Sequence, residues 1–114
     1  MANRRLLDRR IICGAAMERL PILARMLYWY LIFDADDDGF VGNPQRVIRM
    51  AGASDEHYEM LLEAGFILDF PSGVCVISHW FCHNVKTREG YMPTVFTAEL
   101  SQLRITDRGE YEIR

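Results

Sequence analysis

Residues 20–33, LPILARMLYWYLIF, carry a single charge, Arg25, and limit the folds open to the chain more than any other segment. Leu20, Leu23, Ala24, Leu27 and Leu31 recur at helical spacing and form one apolar stripe. Met26, Trp29, Tyr30 and Phe33 fill most of the other side. A helix apolar almost all round has to be covered on several faces. The stretch is too short for a bilayer span, which needs about 20 apolar residues. It is therefore expected to be the central helix of a small soluble domain. Pro21 suits its first turn, where the missing N–H would have no partner in any case.

A chain of 114 residues, half of them hydrophobic, corresponds to one domain with a real core. Residues 4–12, RRLLDRRII, read as an extended arm. Leu6, Leu7, Ile11 and Ile12 are expected to dock on the core while the arginines stay in water. A short helix over 13–20 leads into the central one. Residues 34–39, DADDDG, form an acidic turn. Phe40 and Val41 make one short strand. Asn43 caps a second helix with Pro44 at its first position. Val47, Ile48 and Met50 are expected to face inward on it, and Arg46 and Arg49 outward. Gly52 ends that helix, and Ser54 caps a third that stops at Gly65. Asp55 and Glu56 fall in its first turn, where the helix dipole favours acids. His57 stands where a capping box would want Glu or Gln, so the box is expected to be incomplete. Tyr58, Leu61 and Leu62 form its apolar side. Residues 66–70 and 74–78, separated by Pro71, Ser72 and Gly73, read as a β-hairpin. Trp80 and Phe81 look like core anchors. A last helix is expected within 94–103, and a terminal hairpin about Asp107, Arg108 and Gly109.

Helix, turn, helix and hairpin in this order give an α+β domain of winged helix-turn-helix type, a three-helix core with a β-hairpin wing. Residues 1–93 would form the winged-helix domain with its basic arm, and 94–114 a C-terminal extension. Several segments occur together: RRLLDRRI, ARMLYWYLIFDADDDGF, a helix pair ending EAGFI, and a hairpin closing in VISHWFCHN. Taken over residues 4–93, the chain resembles the N-terminal winged-helix domain of phage and prophage replisome organisers, the DnaD-like replication initiation proteins. The resemblance implies a non-enzymatic protein that binds origin DNA, self-associates and helps load the replicative helicase. Its implied partners are duplex DNA, further copies of itself, and the helicase or its loader. Proteins of this kind usually carry another domain after the winged helix, and none is expected within residues 94–114.

Charge qualifies the DNA expectation. The formal net charge of −3 gives little general attraction for phosphates. Its distribution is uneven: Arg4, Arg5, Arg9 and Arg10 face one acid, Asp8, at the N-terminus, whereas residues 54–69 hold Asp55, Glu56, Glu59, Glu63 and Asp69 with no Lys or Arg. The third helix would enter the major groove, yet its outward residues are acids. The expected DNA contacts are instead Arg4, Arg5, Arg9 and Arg10 of the arm, Arg46 and Arg49 of the second helix, and Lys86 and Arg88 after the wing, with Ser54 and His57 at the start of the third helix. Such side chains position a duplex without reading its sequence. The rival expectation is a winged helix used only for protein interaction or oligomerisation.

Other chemistries are weaker. Asp34, Asp36, Asp38 and Gly39 match the first half of a calcium-binding EF-hand loop, but its twelfth position is Gln45 instead of Glu, so a plain acidic turn is expected. His79, Cys82 and His83, with Cys75 before them, lack the second spaced pair of a zinc site, and core packing is the expectation there. No phosphate loop or nucleophile elbow is present, so no catalytic residue, metal or cofactor is expected. Three cysteines without a CxxC pair give no disulfide framework, and no apolar leader precedes a cleavage site. The default expectation is a cytoplasmic protein with no membrane contact.

Overall fold

In the computed structural model, which describes residues 3–85 and 89–114, the central helix is α3 (Ile22–Asp34). It follows two single-turn helices, α1 (Arg9–Ile12) and α2 (Ala15–Glu18), in place of one helix over 13–20. Gly14 separates them: a Cβ there would lie 2.7 Å from the Arg10 carbonyl oxygen. Pro21 takes the N-cap of α3, one position before its first turn. Ala24, Leu27, Tyr28, Leu31 and Ile32 are buried along one side of α3, where α4 (Pro44–Ala51) and α5 (Asp55–Glu63) pack against it.

The other side of α3 is not covered as expected. Ile22 and Phe33 remain 52% and 54% exposed, and Leu23 and Tyr30 are also open. One layer of two short helices and a small sheet is enough to bury one stripe of a helix, not its whole circumference. Met50 of α4 likewise faces out, leaving Val47 and Ile48 as the inward residues of that helix. Asn43 accepts a hydrogen bond from the Arg46 N–H at the start of α4, as its sequence suggests, and Gly52 ends the helix.

The α5 cap differs from expectation in one respect. The Ser54 N–H donates to His57 Nδ1 at 3.0 Å, so the histidine supplies the acceptor that Glu or Gln would provide in a capping box.

The architecture is α+β. Strand β1 (Phe40–Val41) pairs antiparallel with β3 (Cys75–Ile77), which pairs on its other edge with β2 (Ile67–Asp69), giving the order β1-β3-β2. Phe40 stands opposite Val76, as does Leu68 from the other side. After α6 (Trp80–His83) the chain forms α7 (Thr97–Leu100), shorter than the helix expected within 94–103. A second sheet follows, the hairpin of β4 (Leu103–Ile105) and β5 (Tyr111–Ile113). Leu103 and Tyr111 reach the same core as α3 and the first sheet. The C-terminal extension is thus packed into the domain. Among the described residues, no helix is long and apolar enough to cross a membrane.

Trp80 sits at the centre, fully buried, with its indole N–H donating to the Asp37 carbonyl at 2.9 Å. Gly39 lies against it at φ 91°, and a Cβ there would come within 2.6 Å of the Trp80 ring. Gly73 shares the left-handed conformation but has nothing within 4 Å. Urea unfolding should therefore separate the two positions. Gly39→Ala is expected to cost about 3 kcal/mol or more from strain and overpacking, and Gly73→Ala about 1 kcal/mol from backbone conformation alone. Equal losses would mean that the Trp80 contact is not tight.

Candidate functional site

The residues expected to contact DNA divide into several environments. Arg5 is withdrawn from solvent: its side chain is 2% exposed, donates to Asp37 Oδ1 at 2.9 Å and to the Ala35 carbonyl at 2.7 Å, and stacks 5.0 Å from the Trp80 ring centre. It is a structural anchor and not a phosphate contact. The arm is inverted relative to expectation. Its arginine is inside, while Leu6 and Leu7 face out at 62% and 40% exposure. The cause is the buried carboxylate of Asp37, which makes an ion pair that neither leucine could replace. Ile11 and Ile12 do pack against the core.

Arg4, Arg9 and Arg10 are exposed. Arg10 folds back on Asp8, 2.8 Å from its carboxylate, and this pairing holds the Asp8 carboxyl at about 2, below the usual range. Arg46 and Arg49 lie on the outer side of α4, with Arg46 bonded to Asp34 at 2.6 Å. That pair is half-exposed, a class that adds little to stability. Ser54 and His57 are engaged with each other in the α5 cap. Lys86 and Arg88 lie outside the described residues. On α5, Asp55, Glu56, Glu59 and Glu63 are all exposed. At the β2–β3 hairpin turn, Ser72 donates to Glu99 of α7, which puts another acid beside that turn.

The acidic turn is closed on itself and on the C-terminal segment. Asp36 accepts from the N–H groups of Asp38 and Phe40 and from the Thr94 hydroxyl. Asp37 accepts from Arg5 and from the Met92 N–H. Asp38 accepts from the Tyr91 hydroxyl and the Thr94 N–H. These oxygens hold the fold together. Among the described residues, no group of three or more His, Cys, Asp or Glu side chains could hold a metal ion.

The His79–His83 segment is likewise occupied by packing. The Asp8 N–H donates to His83 Nδ1 at 2.8 Å, and Tyr28 Oη lies 2.8 Å from Nε2. A backbone N–H can only donate, so the neutral ring carries its hydrogen on Nε2 and gives it to Tyr28. His79 faces Glu110 at 3.7 Å. Cys75 is buried in β3, and burial raises its thiol to about 12. A cleft of about 420 Å³ is lined by Asp8, Arg10, Ile11, His79, Cys82, Arg108 and Glu110. Its Cys82 thiol points at the Arg108 carbonyl and is shifted upward by burial, which disfavours the thiolate.

The chain was compared with protein-family models, curated proteins and solved structures, and no match was found in any of the three.

Burial lowers His83 to about 4, reinforced by the neighbouring His79, while Asp8 opposes the shift. His79 is shifted down by its own burial, against the pull of Glu110. The unfolded chain therefore takes up these protons first as the pH falls below the ordinary value of 6.5. The histidine contribution to stability is complete above 6.5 and declines as the pH falls toward about 4. Thermal melting at pH 7 and pH 5 should show the loss, and His83→Gln should reduce it, leaving the part due to His79. An unchanged pH dependence in that variant would refute the assignment.

Proposed function

We propose that the chain is a non-enzymatic winged-helix protein of the phage or prophage replisome-organiser kind, acting in DNA replication initiation. Its role is to position duplex DNA through phosphate contacts. The observation that carries the reading is the chain order α3, β1, α4, α5, β2, β3, with β1 closing on β3 at the edge of the hairpin. This order supports the winged-helix reading, in which α4 and α5 would make the helix-turn-helix pair and β2 and β3 the wing. Exposed Arg4, Arg9, Arg10, Arg46 and Arg49 supply the positive charge. Because α5 presents acids, the reading gives it no phosphate contacts and leaves affinity to the arm and to α4. Self-association, and contact with a replicative helicase or its loader, belong to the same proposal.

The acidic surface of α5 favours a second reading, a winged helix that meets another protein instead of DNA. Carboxylates at four exposed positions of the helix meant for the groove would repel the duplex.

Fluorescence anisotropy with a labelled duplex of mixed sequence, repeated over a salt series, separates the two. The DNA reading expects binding at low salt that weakens by about 0.9 log units per log unit of salt for each phosphate contacted. The double variant Arg46→Ala, Arg49→Ala should flatten that slope by about 2. An absence of binding at low salt, together with a dimer or larger species in solution, would favour the interaction reading.

A further inference from the structure

Residues 3–8 occupy a seat made by distant parts of the chain. The Arg5 guanidinium reaches Asp37 and the Ala35 carbonyl, 32 and 30 positions away. The Leu6 N–H donates to Asn84 Oδ1 at 3.0 Å, and Asn84 Nδ2 returns a longer bond to the Leu6 carbonyl. The Asp8 N–H donates to His83 Nδ1, 75 positions away. Residues 4–8 themselves form no helix and no strand. The seat thus reads an extended main chain at two positions and one side chain, an arginine held in a buried slot over Trp80. Leu6 and Leu7 add little, since both face solvent.

None of these contacts depends on the arm belonging to the same chain. Beyond Asp8 the connection is short and segmented: α1 is one turn, and Gly14 breaks the chain before α2. An extended run of six residues spans about 20 Å. An extended segment held in this way can be exchanged between copies at low cost, because each seat is refilled by an identical arm. We propose that the seat formed by Asp37, Ala35, Trp80, His83 and Asn84 accepts the Arg5-bearing arm of a second copy, so that two chains join by exchanging arms. The exchange gives a route for the self-association proposed above and does not depend on DNA contact, since Arg5 is buried and contributes nothing to the exposed arginines.

Two full-length variants test it. Arg5→Ala keeps the seat and lacks the arginine, whereas Asp37→Asn keeps the arm and lacks the carboxylate that holds it. Sedimentation equilibrium should find each alone as a monomer and their mixture as a heterodimer, in which the arm of the second fills the seat of the first. Two monomers in the mixture would overturn the proposal. Circular dichroism establishes first that both variants fold. Should either fail, a fluorescein-labelled peptide of residues 3–10 is titrated into the unaltered chain. Uptake that weakens by about tenfold or more when the peptide carries Arg5→Ala supports exchange. Equal uptake of both peptides, or none of either, overturns it.

Discussion

The three carboxylates of Asp36, Asp37 and Asp38 stand side by side within the fold, and the structure depends on supplying them with donors. Asp37 and Asp38 are themselves buried. Burial pushes the Asp36 carboxyl above its ordinary range, against the hydrogen bonds from Thr94, Phe40 and Asp38 that favour its charged form. Buried acceptors without donors would be strongly destabilising. The chain answers by bringing Arg5 from the N-terminus and Tyr91, Met92 and Thr94 from the C-terminal half, so that both oxygens of each carboxylate accept. The carbonyls of the same turn take the Trp80 indole and the Tyr111 hydroxyl. One six-residue turn thereby fixes the arm, α6, the segment before α7 and the terminal hairpin.

An acidic run that resembles half a calcium loop therefore does a different job here. The oxygens that would coordinate a cation are hydrogen-bond acceptors for the protein itself. The same need for donors shapes the basic arm, whose deepest residue is an arginine while its leucines lie outside. In both places the demand of a buried charge overrides the hydrophobic pattern.

Elements governed by neighbouring residues were legible from sequence. The Asn43–Pro44 start of α4, the Gly52 and Gly65 stops and the hairpin about Pro71–Gly73 each rest on local chemistry, and the burial of Trp80 follows from its large apolar side chain. What escaped depends on contacts made far along the chain. Nothing near Arg5 distinguishes it from Arg4, and its role follows only from Asp37 and Trp80. The exposed side of α3 was missed because composition says how apolar a helix is, not how many elements are available to cover it. His57 in the α5 cap was missed for a smaller reason: an imidazole nitrogen can accept a hydrogen bond as a carboxylate does. The basic candidate surface was legible as residue types. How many of its arginines were already engaged by acids could be learned only from the fold.

Native-state amide hydrogen exchange tests the central place of the acidic turn most directly. If the turn holds the two ends of the chain to the core, the Met92 and Thr94 amides, which donate to Asp37 and Asp38, open only when the core opens. Their protection should then match that of Val76 and Leu31, residues fully buried at the centre of the fold. Exchange of Met92 and Thr94 at free-peptide rates, with Val76 and Leu31 still protected, would show that the core stands without the turn and would contradict the account.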